Sequence, residues 1–181
     1  MQPIPPPSSP ILVRDAGDSD VDAIQRIYAF YVLRGLATFE EEPPAVEDLL
    51  ARKQAILTAG LPYLVAAVGQ QIVGYAYATL YRQRPAYRHT IENSVYVADG
   101  FRSKGIGTAL LSALIERCEA GGWRQMIAVI GDSGNAASIA LHSRLGFKRI
   151  GTLNAVGFKL GRWVDTVLMQ RALGPGDRTL P

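Results

Sequence analysis

The period of the apolar residues changes several times along the chain, and each change marks an element. Ile11-Leu12-Val13-Arg14 reads as a short strand. Val21, Ile24, Ile27, Tyr28 and Tyr31 then recur at helical spacing, with Asp18-Ser19-Asp20 before them as caps and acidic first-turn residues, until Gly35 stops the helix. Beyond the loop Leu36–Pro44, a second helix runs from about Val46 to Ala59, with Leu49, Leu50 and Ile56 inward and Gly60 and Pro62 closing it. Tyr63–Val68 and Ile72–Leu80 have strand patterns and flank Gly69-Gln70-Gln71, a hairpin signal; Gly74 within the second strand predicts a bulge or a close backbone approach. Tyr81–Thr90 is a basic, aromatic loop. Ile91–Val97 is the next strand, and a helix follows to about Ala120, ended by Gly121-Gly122. Met126–Ile130 reads as a buried strand, Ala136–Leu145 as a short helix, Lys148–Leu153 as a strand, Asn154–Arg162 as a loop and Trp163–Leu173 as the last strand. No internal repeat is present.

The order is therefore β-α-α-β-β-β-α-β-α-β-β, an α/β chain whose helices cover both faces of a mixed sheet. Its 181 residues are 48% hydrophobic and 19% charged, enough for one domain with a sizeable core. That domain is expected over 11–173, with 1–10 a flexible, proline-rich tail and 174–181 a C-terminal tail. A net charge of +3 suits acidic ligands but is too small and scattered to argue for nucleic acid. The single cysteine, Cys118, excludes a disulfide framework or a Cys/His metal site and reads as a buried thiol. No stretch has membrane-spanning length, and the N-terminal segment lacks the regions of a signal peptide, so a cytoplasmic protein is expected.

The candidate chemistry centres on Ser94–Thr108, which reads as a strand, a basic glycine turn and the start of a helix. Such a turn presents free backbone N–H groups at a helix N-terminus, where the dipole favours an anion. Arg102 and Lys104 add positive charge, and Gly105 and Gly107 let a bulky anion approach the main chain. It is not a P-loop, because Ile106-Gly107 stands where Lys and Ser or Thr are required. Nor is it a dinucleotide fingerprint, because Leu110 stands where the third glycine belongs. An ordinary glycine-containing turn is the remaining alternative.

Arg-x-x-Gly-x-Gly after an apolar strand, Arg102 to Gly107, resembles the pyrophosphate turn of the GCN5-related N-acetyltransferases, which hold acetyl-coenzyme A. The element order is also theirs. The resemblance implies that the sheet splays after the fourth strand and that the pantetheine arm lies against the backbone of Val95, Tyr96 and Val97. It implies cofactor contacts from Arg102, Ser103, Lys104, Gly105, Ile106, Gly107 and Thr108, and from Asn135 and Ser138 in the second signature, Asn135–Phe147. His142 stands there where the general family often has a thiolate-protonating Tyr. A His can also exchange a proton, or be merely a packed helix residue.

Glu92, Ser94 and Tyr96 share one face of the alternating strand, opposite Ile91. Partial burial of Glu92 beside a ligand channel would raise its pKa towards that of a useful base; a salt bridge to Arg82 or Arg88 is the alternative. A narrower resemblance covers most of Ile11 to Arg171. The strand Thr90–Val97, the segment Ala137–Phe147 and the stretch Val156–Asp165 are similar to the phosphinothricin and methionine sulfoximine/sulfone N-acetyltransferases. That group also carries His at the 142 position and uses the strand glutamate as base. It implies substrate contacts from Arg82, Gln83 and Arg84, and from Phe39, which can also simply anchor its loop to the core. Arginine suits an amino-acid carboxylate through bidentate bonding. The Phe158-Lys159 loop resembles one that reaches a partner's site, which implies a homodimer. The resemblance carries no metal. Other amine acceptors, or a non-catalytic acyl-coenzyme A module, are the competing functions.

Overall fold

The computed structural model describes residues 10–181; the proline-rich stretch therefore lies, but for Pro10, outside the described residues. Seven strands form one sheet: β1 Ile11–Asp15, β2 Tyr63–Val68, β3 Gln71–Leu80, β4 Thr90–Val97, β5 Gln125–Gly131, β6 Lys148–Lys159 and β7 Arg162–Ala172. Their spatial order is β1-β2-β3-β4-β5-β7-β6, and only the β4–β5 pair is parallel. The helices are α1 Val21–Arg34, α2 Val46–Thr58, α3 Ile106–Ala120 and α4 Ala136–Arg144.

Parity along β4 assigns the helices to faces. Tyr96 points to α1, where its ring meets Tyr28 and Tyr31 edge-on at 5.2 and 5.3 Å. Asn93, an odd number of residues away, points to the other face and meets His142 of α4. Hence α1 and α2 cover one face, and α3 and α4 the other. Gly74 shows why its position excludes a side chain: a Cβ would stand 2.9 Å from the Tyr96 carbonyl and against Ile106 and Leu110 of α3. The β2–β3 register also slips beside it, between Ala66 and Ala67. Both halves of the Gly74 expectation are met.

Two local readings are corrected. Asp18–Asp20 is a 3-10 turn that gives α1 no side-chain cap. Asp20 instead turns back to accept from Gly17 N at 2.8 Å and from both Arg14 guanidinium nitrogens at 2.6 and 2.8 Å, and this ion pair holds its carboxyl below the usual range. The segment expected as a loop, Asn154–Arg162, is mostly strand. After an irregularity between Leu153 and Gly157, pairing resumes at Gly157↔Val164 and Phe158↔Trp163, and only Leu160-Gly161 turns. Both turn residues have positive φ, 51° and 74°, the two-residue hairpin geometry that matches strand twist.

Residues 174–181 follow β7 as turns, with Arg124 donating to the carbonyls of Gly176 and Leu180. Cys118 is fully buried, and burial pushes its thiol up to about 12.

Candidate active site

The parallel pairing of β4 with β5 lasts only from Thr90↔Gln125 to Asn93↔Ala128. Beyond it, β4 continues with β3 to Val97, and β5 continues with β7 to Gly131. The two strands therefore part, leaving Ser94–Val97 without a strand partner on the β5 side. The wedge widens into a cleft of about 840 Å³.

Three walls close the cleft. One is β4, through Val95, Tyr96 and Val97. The second is the turn into α3. Ser103 and Gly105 both have positive φ, 60° and 81°, and α3 starts at Gly105 with no side-chain cap, so its first amides remain available to an anion. Gly107 keeps this entrance narrow, because a Cβ there would stand 3.2 Å from Leu141 of α4. Arg102 lies over the rings of Phe30 and Tyr31, 5.3 Å from each centroid, and pairs with Asp99 at 3.3 Å. The third wall is α4, which differs from α3: Asn135 caps it, accepting from Ser138 N at 3.2 Å.

The turn is not uniform. Ser103, Gly105, Gly107 and Thr108 face the cleft with Arg102. Ile106 instead is 1% exposed, its side chain packed in the core beneath Gly74. Lys104 turns its ammonium to the Gly100 carbonyl at 3.0 Å and over the Phe101 ring. Neither side chain lines the cleft.

At the fork, His142 is 4% exposed, and both ring nitrogens are held. Nδ1 donates to the Ser138 carbonyl at 2.8 Å, and Nε2 lies 3.0 Å from Asn93 Oδ1. Asn93 in turn donates its amide to the Ile127 carbonyl of β5 at 3.1 Å. In this arrangement both nitrogens face acceptors, which a doubly protonated ring satisfies best. Burial pulls His142 below the ordinary imidazole value, and the Ser138 bond works against that pull.

Glu92 sits on the opposite face of the same strand, half-buried, with no hydrogen-bond or ion-pair partner among the described residues. Burial raises its carboxyl above the ordinary 4.5, and the charge of Arg82 lowers it in part. The alternative of a salt bridge to Arg82 or Arg88 is not found; Arg88 donates to the Pro85 carbonyl.

A family model of the GNAT acetyltransferases matches residues 24–147. The chain belongs to that family. It is 56% identical to a phosphinothricin N-acetyltransferase of Alcaligenes faecalis over 93% of this chain and 86% of the relative. Identity to an L-methionine sulfoximine/L-methionine sulfone acetyltransferase of Pseudomonas paraeruginosa is 44%, over 90% of this chain and 95% of the relative. A crystal structure of a phosphinothricin acetyltransferase from Sinorhizobium meliloti in complex with AcCoA superposes with a TM-score of 0.92, at 48% identity, covering 94% of this chain and 92% of that one. The GNAT fold and the resemblance read from the motifs are both met. The cleft suits acetyl-coenzyme A: it joins an uncapped helix N-terminus, which favours an anionic group, to a strand edge without a strand partner.

The residues expected to bind the acceptor do not line this cleft. Phe39, 43% exposed, packs on Gly157 of β6, where any Cβ would strike its ring. Thr38 and Glu40 are tied to Tyr28, whose hydroxyl lies 2.8 and 2.9 Å from them, and Glu40 also holds Arg52 at 2.6 Å. Arg82, Gln83 and Arg84 are exposed on the β3–β4 loop, with Arg82 over the Tyr81 ring.

The contacts of four positions here were missed at the level of sequence. Asn93 had a signal: it is a polar residue at a core-facing position between Ile91 and Val95. Gly131 abuts the Leu36 carbonyl, leaving no room for a Cβ. Tyr31 donates to the Val97 carbonyl at 2.6 Å. Lys159, expected with Phe158 to reach a partner's site, is instead 2% exposed and donates within its own chain to the Thr38 carbonyl at 2.8 Å and the Tyr31 carbonyl at 3.3 Å, bracing the Phe39 loop. The last three depend on contacts between remote segments, which no local pattern displays. Among the described residues no group of His, Cys, Asp and Glu is placed to hold a metal, and no helix is long and apolar enough to cross a membrane.

Proposed function

We propose that this chain transfers the acetyl group of acetyl-coenzyme A directly to the α-amine of a small amino acid or analogue of the phosphinothricin, methionine sulfoximine or methionine sulfone type. The observation that carries the reading is the division of labour on β4. One edge of the strand is open to the cofactor, and its adjoining face bears a half-buried carboxyl with a raised pKa and no hydrogen-bond or ion-pair partner among the described residues. Acetyl-coenzyme A supplies the activated acyl group. The α3 amides and Arg102 hold its pyrophosphate, and the edges of Val95, Tyr96 and Val97 orient its arm. Glu92 takes the ammonium proton, so that a neutral amine meets the thioester carbonyl. His142, at the fork, is the acid in this reading, giving up the Nε2 proton it shares with Asn93 to the departing thiolate. Arg82, Gln83 and Arg84 bind the acceptor, with an arginine on its carboxylate, and Phe39 borders it.

A cationic acceptor is disfavoured, because Glu40 already neutralises Arg52 and accepts from Tyr28. The enzyme works as a cytoplasmic homodimer in this reading. Support for the dimer comes from the apolar residues left exposed on the β6–β7 hairpin, Val156, Phe158, Leu160 and Trp163, each more than half exposed. The domain spans 11–173.

Release of free thiol from acetyl-coenzyme A tests the reading across amino acids, their sulfoximine, sulfone and phosphinate analogues, and polyamines. Turnover confined to the amino-acid group is expected; turnover of polyamines alone would refute it. Sedimentation of wild type and Trp163→Glu tests the dimer.

A further inference from the structure

Lys159 is a buried cation whose hydrogen bonds run only to main-chain carbonyls. Its partners among the described residues are the carbonyls of Thr38 and Tyr31, at 2.8 and 3.3 Å, and its side chain is almost wholly out of solvent. Burial pulls the ammonium below the ordinary lysine range, against the charges of Glu41 and Glu40. A charge held so deep is costly, and an apolar residue of similar volume is often at least as stable in its place. Stability alone does not account for it.

What this cation holds is a loop that carries an exposed ring. Alternation along β6 puts Gly157 and Lys159 on one face and Phe158 on the other, where Phe158 meets Trp163. Gly157 receives the Phe39 ring, since a Cβ there would stand 2.8 Å from two of its carbons. Lys159 grips the carbonyl of the residue just before that ring. Tyr28 holds the Thr38 hydroxyl and Glu40, and Arg52 of α2 holds Glu40 as well. Three consecutive residues are therefore fixed by separate contacts, yet the ring they carry is left 43% exposed. An aromatic that served only to anchor its loop would be buried in the core. The second bond of Lys159 leads to the cleft. It goes to Tyr31, whose hydroxyl holds the Val97 carbonyl of β4, and Leu36 and Ala37 between Tyr31 and Thr38 wall the same cleft.

We infer that Lys159 is a positioning residue for acetyl transfer: it fixes the Thr38 carbonyl so that Phe39 presents its ring to the acceptor in one place. This inference rests on the amino-acid acetyltransferase reading. Alignment is the effect at stake, because a misplacement of about 1 Å can cost a well-oriented reaction about 100-fold.

Thiol-release kinetics with acetyl-coenzyme A and methionine sulfone test it in wild type, Lys159→Met, Phe39→Ala and the double variant. Lys159→Met should raise the KM for the sulfone about tenfold, with a smaller fall in kcat. Its unfolding midpoint should hold or rise. Affinity for acetyl-coenzyme A should stay within about twofold, because the Tyr31 carbonyl keeps its bond from Gly35 N at 3.0 Å. The double variant decides the route. If the lysine acts through Phe39, it should match Phe39→Ala within about twofold. Gly157→Ala displaces the ring while leaving the lysine in place, and should raise the sulfone KM by a similar factor. Losses that multiply in the double variant would overturn the positioning role alone, as would an unchanged sulfone KM in both Lys159→Met and Gly157→Ala. Turnover of no amino acid or analogue by the wild type would overturn the acceptor reading and the inference with it.

Discussion

The two sides of β4 are built in different ways. On the proposed cofactor side the chain offers mainly its backbone: a strand edge left unpartnered by the parting of β4 and β5, and a helix start left uncapped at Gly105. On the proposed acceptor side it works through side chains brought from afar: Glu92 of β4, Phe39 of the α1–α2 loop, and Lys159 of β6, which braces that loop. The cofactor side should therefore tolerate loss of side chains and resist their addition. The acceptor side should behave in the opposite way.

Glu92→Gln should give the largest effect. Removing a general base costs about 10²- to 10⁴-fold in kcat, and acetyl-coenzyme A affinity should stay within about twofold, as titration calorimetry can measure. Equal losses in both would erase the distinction between the sides. Gly107→Val should do the converse. Its branched side chain pushes on Leu141 where even a Cβ stands at 3.2 Å, and it covers the anion-binding amides, so acetyl-coenzyme A should bind about 10- to 100-fold more weakly.

Asn93→Leu tests the fork that joins the two sides. It strips His142 Nε2 and the Ile127 carbonyl of their partner, at a cost of about 1–3 kcal/mol in stability by denaturant unfolding. If His142 works from a fixed position, kcat should fall further than this instability explains, and Asn93→Asp should restore part of it. Arg102→Ala should be milder. The guanidinium is half exposed and screened, so a loss of about three- to tenfold in acetyl-coenzyme A affinity is expected, larger than any change in acceptor KM. Lys104→Ala should be smallest, within about twofold, because its ammonium is turned to Gly100 rather than to the cleft.

The same contrast explains what could be read in the sequence. The cofactor side is nearly contiguous, Ser94–Thr108 with the start of α4, and its glycines and apolar strand announce it locally. The element order and the Gly74 approach were legible for the same reason. The acceptor side was legible only where one strand displays it, at Glu92. Gly131 against Leu36, Gly157 against Phe39 and Lys159 on the Thr38 carbonyl join segments far apart in the chain, and no periodicity encodes them. Asn154–Arg162 looked like a loop because Asn154 and Gly157 interrupt the alternation, whereas the structure absorbs the interruption as an irregularity and continues the strand.

The central claim is that Glu92 is the base, and the pH dependence of kcat at saturating acetyl-coenzyme A tests it most directly. Burial raises the Glu92 carboxyl above 4.5. The base is active only when ionised, so wild-type kcat should rise with pH through an inflection above that value. Glu92→Gln should lack this limb and retain only a low, flat rate. The same inflection in both proteins would contradict the account.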